Sequence, residues 1–396
     1  MPAPSDDASD YDRDLAALER EGGASVVEDG GARDPAAAIQ RASWLQRRGS
    51  LTGNAEDLAL AARLIRAATA GAGASDTVAL LAAMLALDLH RLADARRWLD
   101  VVRDRDLWLV AATEGDLAVQ EGRFDDAASF DAKARAAHAG WEVPARLANL
   151  SALRGDLDGA DRLYQQAEDE VDAKSMRTFA WLEVQRGRGA FARGRFDEAQ
   201  LRYERAARAY SGWWLVDARR AELAAARGQG EEALAAYARV AERSANPEIA
   251  QALGELDTSL GRPAAAAPWS ERALAAYQRS IDRGETHYLH ALAAFHADVS
   301  GDAAQAVHWA ELDRQQRPGV AAVHDQLAWA LFRAGRFDAA RVESAAALAI
   351  GAPDAHSLYH AAMIALAAGR ADEGAGLLRR VAALNPLYTR TFHAHH

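Results

Sequence analysis

Cysteine is absent from the 396-residue chain. That excludes a disulfide scaffold, a cysteine-ligated zinc or iron–sulfur site and a thiol nucleophile. It agrees with a reducing compartment without requiring one. Lysine is nearly absent as well. Lys133 and Lys174 are the only two, and both follow alanine. No Gly-Lys pair therefore exists, and a Walker phosphate loop is excluded. Long apolar runs are missing too. The longest, Val78–Leu87, is far short of the roughly 20 residues of a membrane helix. The N-terminus lacks the basic start and apolar stretch of a secretory signal. These absences predict a soluble, cytoplasmic protein with no membrane insertion.

What is present is alanine, 99 residues of it, a quarter of the chain. Alanine has the best helix propensity, lets helices approach closely and is a poor strand former. A mostly β protein is excluded. The net charge of −11 is unevenly placed: residues 1–35 hold ten acids against Arg13, Arg20 and Arg33, which accounts for −7 of it. The segment 1–34 reads as an acidic, disordered tail, with at most a weak helix near Tyr11–Arg20.

A phrase recurs along the rest. Gly122-Arg-Phe-Asp-Asp-Ala127 returns as Gly194-Arg-Phe-Asp-Glu-Ala199 and Gly335-Arg-Phe-Asp-Ala-Ala340, with looser copies starting at Gly155, Gly228, Gly261, Gly301 and Gly369. His90 takes the glycine position in the first copy. Successive markers lie 32, 33, 39, 34, 33, 40, 34 and 34 residues apart. Five residues after every marker, and seven before it, the side chain is alanine or glycine. Eight or nine residues after it, seven copies carry an aromatic, such as Trp98, Tyr203 and Trp309. The marker ends a first helix in the left-handed region. Acids then open a second helix at its positive end. The small residues mark close helix crossings. Prolines at Pro247, Pro318, Pro353 and Pro386 interrupt the helices between units.

These residues resemble tetratricopeptide repeats, whose period is about 34 residues. The resemblance covers 76–386 and reaches back to 35, where 35–75 is a degenerate first repeat. It implies an all-α, right-handed α-solenoid of antiparallel helix pairs, about ten repeats over 35–386, followed by a short His-containing tail, 387–396. The segment from Asp325 to Pro386 is similar to bacterial all-repeat proteins with no assigned activity. Two repeats are long, with the extra residues within Glu168–Thr178 and Tyr277–Tyr288. They predict a longer loop or an added helical turn. Leu377, Leu378, Val381 and Leu384 predict an end that is covered by the tail or used for self-association of the C-terminal repeat.

Motifs that carry chemistry are few. There is no nucleophile elbow, no His-Glu-x-x-His and no calcium loop. The run Asp156-Leu-Asp158-Gly159 is a repeat turn. His287-x-x-His290 and His356-x-x-x-His360 have spacings that can chelate a metal, but no carboxylate nearby in sequence completes a ligand set with either pair. No enzyme activity, cofactor or metal site is expected, beyond adventitious binding by His393, His395 and His396. The repeat array is close to neutral, and its arginines alternate with acids, so nucleic acid is not expected as a partner.

The resemblance further implies that first helices line a concave groove. The groove positions lie thirteen, ten, six and three residues before each marker. They include Asp116, Asn149, Arg188, Phe191, Phe295, Asp325, Trp329, Phe332 and Tyr359, with Arg333 adjacent. This mixture suits a partner peptide or helix. The expected function is a non-enzymatic protein-interaction scaffold; the alternative is a regulatory sensor of a short peptide or small molecule. A lysine-based carboxylate clamp is excluded, because neither lysine is in a first helix.

Overall fold

The repeat markers become the turns of helix pairs. A computed structural model of the chain describes residues 8–27, 34–71 and 73–388. Helix α1, Asp10–Val27, is followed by ten pairs. The first five are α2 and α3 (Pro35–Thr52, Ala55–Thr69), α4 and α5 (Asp76–Asp88, Leu92–Val101), α6 and α7 (Trp108–Gln120, Phe124–Ala137), α8 and α9 (Glu142–Leu153, Leu157–Glu170), and α10 and α11 (Met176–Ala192, Phe196–Ala209). The rest are α12 and α13 (Trp214–Ala226, Gly230–Arg243), α14 and α15 (Pro247–Ser259, Pro263–Asp282), α16 and α17 (Leu289–Ala294, Ala303–Gln316), α18 and α19 (Ala321–Arg333, Phe337–Ala349), and α20 and α21 (Ala355–Ala367, Ala371–Leu384). A π-helical turn, Phe295–Val299, extends α16. No strand occurs among the described residues. The chain is thus an all-α solenoid of antiparallel pairs.

The turn chemistry follows from the marker. Gly122 has φ 74°, and the amides of Gly122 and Arg123 bond back to the carbonyls of Val119 (3.0 Å) and Ala118 (2.8 Å). Both orphan carbonyls at the helix end are thereby satisfied. His90 keeps the same geometry without glycine, at φ 57°, and its Nδ1 lies 3.1 Å from Gln120 Oε1. Asp125 and Asp126 stand in the first turn of α7, and Asp197 and Glu198 in that of α11. The small position seven before the marker is a packing requirement. A Cβ on Gly187 would lie 2.3 Å from the ring of Tyr203, the aromatic of the same pair.

The solenoid winds back onto itself. Trp213 and Trp214 donate their indole N–H groups to Leu51 O at 3.4 and 2.9 Å, and Ser244 Oγ donates to Thr52 O at 3.2 Å. Arg63 and Arg91 both pair with Glu285, at 2.7 and 2.9 Å. The backbones of Gly122 and Gly319 meet, leaving no room for a Cβ on either. Ala352 N donates to Leu153 O at 3.0 Å, and Asn385 and Pro386 sit against Gly194. The turns and loops of one superhelical coil thus form a continuous seam with those of the next, around a central lumen lined by first helices.

One expectation needs correction. Within the segment 1–34, Asp10–Val27 is not a tail: it forms α1 and docks on the opposite coil. Tyr11 is 1% exposed and packs with Leu51, Trp213 and Trp214. Asp10 accepts from Ser211 N and Oγ (2.9 and 2.7 Å), Asp14 from the Tyr210 hydroxyl (2.6 Å), and Asp12 pairs with Arg243 (2.8 Å). The acids that suggested a solvated tail are partners for distant residues. Residues 1–7 and 28–33 lie outside the described residues.

The two long repeats gain helix as much as loop. α10 has 17 residues and α15 has 20, against 13 or 14 in most of their counterparts. The longer α15 carries Glu285 to its two arginines. The first two residues of the 387–396 segment turn inward: Leu387 packs beside Phe191, and Tyr388 beside Tyr359 and Leu377. Val381 is fully buried, while Leu384 remains exposed. His393, His395 and His396 lie outside the described residues.

Candidate functional site

The helical period places residues thirteen, ten, nine and six before each marker on one stripe of a first helix. In α12 these are Leu215, Ala218, Arg219 and Glu222. In α14 they are Glu248, Gln251, Ala252 and Glu255. All eight line a cavity of about 310 Å³ on the lumen, together with Trp214, Ile249, Gln326, His356 and His360. Its polar groups are mutually braced: Arg219 reaches Glu222 at 2.8 Å, Gln251 donates to Glu255 at 2.8 Å, and Tyr277 donates to Gln251 at 2.8 Å. A second cavity, of about 390 Å³, adjoins the first by sharing Arg219 and Glu222. It is lined by residues of α8 to α12, with Ala352–Ala355 and Leu384 completing it.

The expected groove residues divide between these surfaces and the core. Asn149, Arg188 and Phe191 all line the second cavity. Arg188 reaches water, yet the surrounding protein desolvates its guanidinium enough to lower its pKa, helped by the nearby Arg219. Phe191 stacks on Phe196 at 5.3 Å. Asp116 lies further along the lumen, 3.0 Å from Arg146. Burial pushes its carboxyl pKa up, against the pull of Arg146.

Asp325 and Trp329 lie in the wall rather than on it. Asp325 is 5% exposed, and the Trp329 indole donates to Asp298 at 2.9 Å. Phe332 stacks on Trp329 at 4.8 Å, Arg333 lies 3.8 Å from Asp298, and Tyr359 packs at 5.7 Å from Tyr388.

Phe295 is the exception. It is 3% exposed, in a core cluster with Tyr277, Tyr288 and Leu292. The cause is the π-turn, closed by Ser300 N donating to Phe295 O at 3.0 Å. A π-turn inserts one residue into the helix. Counted back from Gly301, every earlier position is displaced by one, so His290 and Ala294 take the lumen places and Phe295 turns inward.

Residues nine before the marker were missed by the positional rule, although the same stripe contains them. Arg219, Gln326 and His360 belong to that row. The two histidine pairs behave differently from one another. His287 faces Ser280 (3.4 Å) and His290 faces Asp313 (3.7 Å), so that pair is split. His356 and His360 stay together, with ring centroids 4.1 Å apart. Their carboxylate comes from the preceding repeat: His360 Nδ1 lies 2.9 Å and His356 Nε2 3.8 Å from Asp325 Oδ2. These three are the one group among the described residues with a donor set and spacing able to hold a metal ion.

No family model and no curated protein matches the chain. Solved structures do. The Cut9–Hcn1 hetero-tetramer of the APC/C is similar over 95% of this chain and 73% of its own, at 16% identity and a TM-score of 0.50. A tetratricopeptide repeat protein from Parabacteroides merdae ATCC 43184 is similar over 62% of this chain and 93% of its own, at 17% identity and a TM-score of 0.38. No helix among the described residues is long and apolar enough to cross a membrane. Ten helix pairs closed by the same left-handed turn, and a likeness that spans nearly the whole chain, give this protein the fold of a tetratricopeptide-repeat solenoid.

Proposed function

We propose that the protein is a non-enzymatic interaction scaffold that holds a short peptide or helix of a partner protein in its lumen. The observation that carries this reading is the pair of adjoining cavities, about 310 and 390 Å³, joined at Arg219 and Glu222. Their walls are apolar, as at Trp214, Ile249 and Phe191. Polar groups at Arg188, Gln251 and Asn149 interrupt them. Few, well-placed polar groups in an apolar wall are what orients a bound chain.

Affinity capture with the full chain tests this. Arg188→Ala alters the lumen, while Arg220→Ala alters a polar hollow formed with Asp217 and Glu232 outside it. The expected result is a partner retained by the parent and by Arg220→Ala, and reduced at least tenfold by Arg188→Ala. Equal retention by both variants removes the lumen from the reading. A large thermal shift with a small molecule alone favours the sensor alternative.

A further inference from the structure

The three-residue cluster at the start of α20 has features that a hydrogen-bonded packing motif does not need. Asp325 is 5% exposed, and its Oδ1 has no hydrogen-bond partner among the described residues. Its Oδ2 accepts from His360 Nδ1 at 2.9 Å. A buried carboxylate oxygen without a donor costs about 1–3 kcal/mol. A cation beside Oδ2 offsets part of that cost, because the two oxygens share the carboxylate's charge.

The donor atoms converge. One ligand atom from each of Asp325, His356 and His360 lies within 4.8 Å of the other two. Ligands about 2.0–2.1 Å from a tetrahedral ion stand about 3.3 Å apart. The distances from Asp325 Oδ2, 2.9 Å to His360 Nδ1 and 3.8 Å to His356 Nε2, fall on either side of that value. Both differ from it by about half an ångström, and the two histidine nitrogens lie within 4.8 Å of each other.

The surroundings orient the rings. His356 Nδ1 lies 2.7 Å from the Tyr388 hydroxyl. The contact leaves Nε2, the atom that faces Asp325, as the coordinating nitrogen. Partners of this kind on the distal nitrogen are what hold ligating histidines in place. Trp329 stacks flat on His360, with centroids 4.1 Å apart and planes 8° apart, and is itself anchored to Asp298. Both histidines border the 310 Å³ cavity. A fourth coordination position opens onto the lumen, as in zinc sites with three protein ligands and one exchangeable one.

We propose that Asp325, His356 and His360 bind one divalent transition-metal ion, with Zn²⁺ the best match. Two imidazoles and one carboxylate select against Mg²⁺ and Ca²⁺, which take oxygen ligands. The site does not depend on the peptide reading and goes beyond it: it places an electrophilic centre in the lumen wall, able to take an anionic or imidazole group from whatever enters.

The probe is Zn²⁺ alone, added to untagged full-length protein in which His393, His395 and His396 are alanine. The readout is calorimetric titration, with Co²⁺ visible absorption as a report on coordination. One equivalent of Zn²⁺ is expected. Asp325→Asn, His356→Gln and His360→Gln should each weaken binding by more than tenfold, and Tyr388→Phe by about tenfold. Circular dichroism shows whether each variant is folded. If the buried variants fail to fold, Tyr388→Phe decides alone. Absence of stoichiometric Zn²⁺ binding, or an affinity that a folded ligand variant or Tyr388→Phe leaves unchanged, overturns the proposal.

Discussion

At the scale of single residues, the repeat pattern was legible because it is written in backbone geometry. The marker glycine recurs because a left-handed residue must close each first helix. His90 shows that the position matters more than the residue type, since it adopts φ 57° in the same place. Buried polar residues were harder to read. Asp131, an acid on the second helix α7, is 2% exposed, packed against Gly115, and its Oδ1 has no partner among the described residues. Burial raises its pKa from 3.8 to about 7, Asp116 adds to the rise and Arg146 opposes it. Between pH 4 and 7 the folded state therefore keeps a proton that the unfolded state releases, so this group's contribution to stability falls as pH rises. Asp131→Asn removes the proton without changing shape. It should stabilise the protein at pH 8, and by about 2 kcal/mol more there than at pH 5, as urea unfolding of both proteins would show. Equal effects at the two pH values would mean that Asp131 is ionised in the fold.

At the scale of elements, the ten helix pairs follow from sequence, and three features do not. The full length and docking of helix α1, of which only a weak stretch near Tyr11–Arg20 was legible, were hidden because its acids find partners some two hundred residues away, at Ser211, Tyr210 and Arg243. The π-turn was hidden because it changes register by one residue without any change of composition, and this misplaced Phe295. The carboxylate beside His356 and His360 was hidden because adjacency between repeats, not within one, supplies it. The docking of α1 has a direct consequence. Tyr11→Ala deletes the aromatic anchor at a buried site, a loss of about 3–5 kcal/mol. The loss should act locally, because α1 lies outside the repeat pairs. Tryptic cleavage after Arg13 and Arg20 is expected to quicken at least tenfold, with the melting temperature of the repeats changed by only a few degrees. Unchanged cleavage would show that α1 is held by its polar contacts alone.

At the scale of the whole molecule, the fold class was legible and the coiling was not. Each repeat adds a small rotation to the one before it, and only the sum decides whether coils separate or touch. No local motif encodes that sum. The residues that record it are scattered: Leu51 beneath two tryptophans, Glu285 between Arg63 and Arg91, Gly122 against Gly319. The long connector after α15, which from sequence is an extended loop or an added turn, has a role in this closure, since it delivers Glu285. The coiling also narrows the groove from an open track for a peptide or helix to a lumen with small cavities, and both proposals rest on that lumen. Small-angle X-ray scattering of the purified full chain measures the closure directly. A compact chain of this length has a radius of gyration of about 21 Å, and the stacked coils predict a value between about 21 and 24 Å. Ten pairs stacked in an open array at about 10 Å spacing give about 30 Å, and a value near that, with an elongated distance distribution, would contradict the closed lumen.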